Sequence, residues 1–406
     1  MAPQPLQHLY SDTAQKAQPS TIRDLCALVA RPEIRSLAGG WPDPGVFPGA
    51  ELGEICHTLL QKRSAEILQY GSTEGVLELR QLIADQLMDT LEVLSTDSLL
   101  ITQGSAQGMS LACQAFLNPG DIVLVGLPTY FGGTGAVASR GGQCLGVLVD
   151  EQGLDTRALA RTLAEVKTKG RTVKGIYTIP NFQNPAGVTL SLERRHRLIE
   201  LAAEHDLVIF EDDPYRDLRY EGQALPSLLA LDQEGRVVQL RSLSKIFSPG
   251  LRLGWAAGDP GVIRTMTEAK QFADATSNTH SQFLLLEYIK QGHLAERIRS
   301  NTHFYRHKRD FMLQEMDKHF PKAISWTRPQ GGFFIFVHLP EDWDAADLLQ
   351  EAVDRDVAFV TGQPFFVDGS GKNTLRLSFS QASLDDIKAA ITELGELLRD
   401  RFAAGS

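Results

Sequence analysis

From Leu99 to Trp255 the chain alternates short apolar runs with longer amphipathic stretches, and each run ends in a polar or glycine-bearing cluster. LLIT leads to QGSAQG, IVLVG to LPTYFG, GIYTIP to NFQNPAG, LVIF to EDDPY, and VVQL to RSLSK. Short buried strands separated by helices predict an α/β fold, a largely parallel sheet with helices on its faces. Open sheets of that kind bind ligands in the crevice beyond the carboxyl ends of their strands. The clusters are therefore expected to converge on one crevice.

A typical covering helix is ERRHRLIELAAEHD, where Leu198, Leu201 and Ala202 share a stripe and Glu193, Arg194, Arg197 and Glu204 lie outside it. A long helical region from about Gly261 to Phe320 follows. GGFFIFVHL, a helical run from Asp344 to Arg355, TLRLSFS and a final helix then predict a smaller α+β lobe. Three parts are expected: residues 1–40 as an N-terminal segment, 41–295 as the large domain and 296–406 as the small one.

The 406 residues are long enough to bury two lobes, and 43% hydrophobic with 22% charged residues is ordinary for a globular protein. The net charge of -10 would repel nucleic-acid backbones and anionic lipid, so an anionic ligand must be captured by a local cluster. Cys26, Cys56, Cys113 and Cys144 form no CxxC pair, which argues against a zinc site and a disulfide framework. No apolar run approaches the ~20 residues of a membrane span. The expected setting is cytoplasmic, with no membrane, nucleic-acid or metal partner.

Ser105, Ala106 and Gln107 follow a strand and open a helix, where backbone N–H groups and the helix dipole favour an anion. Ser105 taken alone reads first as an ordinary helix N-cap, and only the neighbouring clusters reverse that. Asp212, at the end of a buried strand, needs a cationic or protonated partner, whereas Asp213 reads as surface acidity. Lys245 taken alone is a solvated lysine. Beside Ser242, Ser244 and Arg252, a fork suited to phosphate, it is an amine placed to condense with a phosphorylated aldehyde.

SLSKIFSPGLRLGW, with NFQNPAG and EDDPY upstream and TLRLSF downstream, resembles the fold-type I pyridoxal-phosphate aminotransferases, class I/II, in particular the subgroup of 2-aminoadipate and kynurenine aminotransferases. The likeness runs from about Ser20 to Ser380. It implies that Lys245 joins the aldehyde of pyridoxal 5'-phosphate, that Asp212 pairs with the pyridine nitrogen, and that Tyr215 and Asn184 bond the phenolic oxygen. Tyr130 would stack on the ring. Ser105, Ala106, Gln107, Ser242, Ser244 and Arg252 would hold the phosphate, with Tyr70 reaching it from the partner subunit of a homodimer. Arg376 would grip the substrate's α-carboxylate, assisted by Gly40. Arg23, in an N-terminal segment closing over the site, would read an acidic side chain. The implied reaction is ping-pong transfer of an amino group from an L-amino acid (acidic, 2-aminoadipate-like, aromatic or branched) to a 2-oxo acid such as 2-oxoglutarate.

Two rivals share the scaffold. A lyase or decarboxylase would use the same cofactor residues, since substrate orientation sets which bond breaks. A transcription regulator would need a helix-turn-helix module, for which the residues before Ser20 leave no room. Gly133, Gly135 and Ala138 spell GxGxxA, but Leu127 to Phe131 separate them from the strand end that a dinucleotide fingerprint requires. His303 and His307 lack the glutamate of a metal-binding HExxH motif.

Overall fold

The structure, a computed structural model, describes residues 6–11, 33–88 and 94–404. The large lobe opens with α1 (Gly49–Lys62) and α2 (Leu77–Gln86). It continues through β1 (Leu99–Thr102), α3 (Gly104–Phe116), β2 (Ile122–Leu127), α4 (Phe131–Ser139), β3 (Gln143–Asp150) and α5 (Thr156–Thr168). Next come β4 (Val173–Thr178), α6 (Leu192–Glu204), β5 (Val208–Asp212), β6 (Val237–Ser242) and β7 (Gly254–Ala257). The helical region divides into α7 (Pro260–Ala273), α8 (Thr279–Lys290) and α9 (His293–His319). In the small lobe, β8 (Phe334–His338), α10 (Ala345–Val353), β9 (Thr374–Ser378) and α11 (Leu384–Ala404) follow, β8 and β9 pairing antiparallel.

Local chemistry starts the helices where the sequence changes period. The side chains of Asp155, Ser191, Asp259 and Asn278 accept first-turn N–H groups of α5, α6, α7 and α8, and Pro260 sits in the first turn of α7, where its missing donor costs nothing.

The strand order of the large sheet is β1-β7-β6-β5-β4-β2-β3, closed by the short strand Gly153–Leu154. The pairs from β6 to β3 are parallel. One strand was not foreseen in direction: β7 runs antiparallel between β1 and β6, which therefore point the same way. That insertion brings the carboxyl ends of β1 and β6 to either side of Gly254, which faces both Thr102 and Ser242.

Both sheet faces are buried, and the strand period of two sorts the side chains between them. Val123, Val125, Tyr177, Phe210, Val238 and Leu240 pack with Met109 and Ala112 of α3. Ile122, Leu124, Ile176, Ile209 and Val237 pack with Leu159 of α5 and with Leu198, Leu201 and Ala202 of α6. A third cluster runs from Leu37 and Leu79 through Phe182 and Tyr305 to Leu377 and Leu398, so the two lobes share a core.

Gly254 marks the tightest place. A Cβ there would collide with the Arg241 carbonyl oxygen and stand 2.8 Å from the Cα of Gly104. Gly254→Ala is expected to cost about 1–3 kcal/mol through overpacking, measured as a lower urea midpoint. An unchanged midpoint would mean that the strands spread freely here.

Candidate active site

A cavity of about 240 Å³ opens at the carboxyl edge of the large sheet, against the small lobe. Of the residues singled out in the sequence, Gly40, Ser105, Ala106, Tyr130, Asn184, Asp212, Tyr215, Ser242, Ser244, Lys245, Arg252 and Arg376 all line it. Gln107 and Tyr70 do not, and Arg23 lies outside the described residues.

One end of the cavity is the start of α3. Its first-turn N–H groups have no intrahelical acceptor, and Gly104 enters the turn at φ 76°, where glycine is the favoured residue. The Gln107 carboxamide turns away from the cavity. Its Oε1 accepts the Gln103 N–H at 2.8 Å and its Nε2 donates to Asp274 at 2.7 Å. Gln107 thus caps the helix and leaves the N–H groups of Ser105 and Ala106 to serve a ligand. Arg252, held at φ 54° in the left-handed region, donates to the Gln103 carbonyl at 3.0 Å and to Ser244 Oγ at 3.4 Å. Ser242 Oγ donates to Ser244 Oγ at 3.1 Å. Two hydroxyls, a guanidinium and a helix N-terminus fit a phosphate group.

Asp212 and Lys245 occupy the middle. Burial raises the Asp212 carboxyl to about 6, while the Tyr177 and Ser105 hydroxyls and the Lys245 charge pull in the opposite direction. Tyr177 donates to Oδ2 at 2.9 Å, and Oδ1 is buried without a hydrogen bond of good geometry. A buried carboxylate oxygen lacking a partner suits a protonated ring nitrogen. Burial and the charges of Arg376 and Arg252 bring Lys245 down to about 8. Its Nζ donates to the Gly40 carbonyl at 2.9 Å, so Gly40 meets the site through its oxygen. A Cβ at Gly40 would stand 2.5 Å from the Phe334 ring. Tyr215 is buried with its ring edge on Phe333 and Phe334, and burial holds its phenol protonated.

Arg376 forms the other end. Its Nη1 donates to Asn184 Oδ1 and its Nη2 to the Ala38 carbonyl, each at 2.8 Å, while Nε has no partner. The guanidinium carbon lies 4.2 Å from the centre of the Phe334 ring and 5.1 Å from that of Phe365. Two aromatic rings fix its plane, as a bidentate carboxylate contact requires.

Three features escaped the sequence reading. Tyr177 lies inside an apolar run and reads as core. Trp41 and Phe334 wall the cavity from segments distant in sequence. Asp213, read as a surface acid, is 1% exposed and accepts two hydrogen bonds from Asn181 Nδ2; it follows directly on β5, a strand buried along its whole length. His303 and His307 are exposed, and no metal-binding group occurs among the described residues. None of the described helices is long and apolar enough to cross a membrane.

The Asp212 shift has a consequence for stability. Unfolded, this carboxyl ionises near pH 3.9; folded, near 6. As pH rises between those values the unfolded chain loses the proton first, so stability of the cofactor-free protein falls. Asp212→Asn is expected to stabilise it by ~3 kcal/mol at pH 8 and by almost nothing near pH 4. Thermal melts across that range measure it, and an equal gain at both ends would refute it.

A family model described as aminotransferase class I and II matches residues 45–394. The chain is 39% identical over 394 residues to aromatic-amino-acid aminotransferase 1 of Thermococcus litoralis, covering 97% of this chain and 94% of that protein. It is 37% identical over 406 residues to the 2-aminoadipate transaminase of Thermus thermophilus, covering 99% and 100%. A crystal structure of Pyrococcus horikoshii kynurenine aminotransferase in complex with PMP superposes with a TM-score of 0.94 at 39% identity over 98% of each chain. With the phosphate cradle, the unpartnered Asp212 oxygen and the Lys245 amine in one cavity, these likenesses identify the chain as a pyridoxal-phosphate-dependent enzyme of the class I and II aminotransferase family.

Proposed function

We propose that the chain transfers an amino group between an L-amino acid with an acidic, aromatic or branched side chain and a 2-oxo acid, with 2-oxoglutarate as the main acceptor. The observation that carries this reading is the cavity's charge: Lys245, Arg252 and Arg376 face one carboxylate, Asp212, inside a protein of net charge -10. Such a site suits a phosphorylated cofactor and a substrate carboxylate together.

Arg252, Ser242, Ser244 and the start of α3 hold the phosphate. Asp212 keeps the ring nitrogen protonated, Tyr215 and Asn184 bond the phenolic oxygen, and Tyr130 stacks on the ring. When bound, pyridoxal phosphate supplies an aldehyde carbon for an amine and a ring that accepts electron density from the substrate's Cα. Arg376 takes the α-carboxylate and so orients the Cα–H bond towards Lys245. Near pH 8 the buried Nζ is divided between amine and ammonium, which suits it to take the Cα proton and give it up again. The Gly39–Trp41 segment and Phe334 keep water from this exchange. The cycle is ping-pong, amino acid and oxo acid using the same groups in turn.

The unit is a homodimer. Tyr70 is 84% exposed and lies away from its own cavity, and Leu68, Leu77 and Phe272 are also exposed, an apolar set for a second copy to cover. Tyr70 then reaches the phosphate of the partner's site. The small lobe from residue 296 and the N-terminal segment up to residue 40 close on the large domain, and Arg23 in that segment receives a distal carboxylate. The names of the Thermococcus and Thermus relatives support aromatic and acidic donors.

The test is a panel of amino acids added to holoenzyme while the cofactor spectrum is followed. Conversion to the aminated form, reversed by 2-oxoglutarate, is expected; release of ammonia with pyruvate, or of carbon dioxide, would assign lyase or decarboxylase chemistry instead. Lys245→Ala is expected to lose turnover by at least ~10³-fold, the order of acid–base catalysis. For Arg23→Ala, KM should rise for dicarboxylic substrates only, and a uniform change would remove its role as the side-chain reader.

A further inference from the structure

Asp212 is a fork with two fates. Oδ2 accepts the Tyr177 hydroxyl at 2.9 Å, and Oδ1 is left without a partner of good geometry. Tyr177 is fully buried on β4, on the sheet face shared with Phe210 and Leu240. Burial, and then the Asp212 charge, push its phenol well above the usual tyrosine range. The phenol therefore stays protonated and stays a donor.

The seat of that phenol is built by α4. A Cβ on Gly133 would stand 2.6 Å from the Tyr177 hydroxyl oxygen and closer still to its ring. Gly135, two residues on, has open space around it. The first glycine of the GxGxxA stretch thus has a packing reason that the second lacks. Tyr177 cannot take its position beside Asp212 with any side chain at 133.

We infer that Tyr177, seated by Gly133, is a positioning residue for this enzyme: it donates to one oxygen of Asp212 and thereby keeps the proton shared with the cofactor's ring nitrogen on the nitrogen. The inference rests on the reading above that Asp212 pairs with that nitrogen. A donor held on a carboxylate favours its charged form. The same proton count admits a carboxylate beside a protonated ring or a carboxylic acid beside a neutral one, and only the first draws electron density from the substrate's Cα. The other groups facing Asp212 divide. Lys245 and the Ser105 hydroxyl favour the carboxylate, Asp213 opposes it, and Tyr130 and Tyr215 are neutral phenols.

Holoenzyme loaded with pyridoxal phosphate labelled with ¹⁵N at the ring shows directly where the proton sits. In Tyr177→Phe, which keeps the ring volume, the ¹⁵N resonance is expected to move towards the neutral pyridine position, with a tautomer ratio changed about tenfold or more. kcat should fall by a similar factor with little change in KM. Gly133→Ala should move the resonance the same way. An unmoved resonance in Tyr177→Phe, with Asp212→Asn displacing it, overturns the inference alone. If Asp212→Asn also leaves it in place, the pairing of Asp212 with the ring nitrogen falls too. Cofactor-free protein gives a second readout. The pH at which the Asp212→Asn gain in Tm levels off should rise in a Tyr177→Phe background, and no rise would overturn the inference whether or not that variant holds cofactor.

Discussion

Three cations and one carboxylate line a single cavity, and much of the surrounding structure serves to hold them there. Lys245, Arg252 and Arg376 repel one another, and burial adds a desolvation cost to the charges of Lys245 and Arg376. Arg376 is held in its plane by Phe334 and Phe365 and bonded to Asn184 and Ala38. Arg252 is held by the Gln103 carbonyl and by a left-handed backbone. Lys245 relieves its own charge by losing affinity for the proton. Anions bound there are stabilised by the field of the three cations.

The antiparallel strand β7 makes this geometry possible. It carries Arg252 just ahead of its first residue and lies between the strands that deliver Gln103 and Ser242. Without it, the helix N-terminus of α3 and the Lys245 loop would sit one strand closer and no arginine would enter between them.

The convergence of the strand-end clusters was legible because each apolar run is short, doubly buried and followed at once by polar residues. The local motifs around Lys245, Asp212 and Asn184 carry their own chemistry and were read from it. What stayed hidden depends on contacts between distant segments. Nothing near Gly40 announces that its carbonyl meets Lys245, 205 residues away. Tyr177 was invisible because a tyrosine in GIYTIP is as good a core residue as any, and only the strand register puts its hydroxyl beside Asp212. The direction of β7 was likewise unreadable, since GWAA carries no mark of orientation. Gln107 was assigned to the ligand because helix-opening position and side-chain direction are separate facts, and Asp274 decides the second.

The backbone of residues 37–41 belongs mechanically to the small lobe. Ser378 N–H donates to the Leu37 carbonyl, Arg376 to Ala38, Ser380 Oγ to the Trp41 carbonyl, and the buried Lys308 bridges Asp43 to the Ser380 carbonyl. This segment is chemically the roof of the large-lobe cavity, yet it is riveted to the other body. Roof and Arg376 are thus joined in one hydrogen-bonded piece, and that piece meets Lys245 through the Gly40 carbonyl.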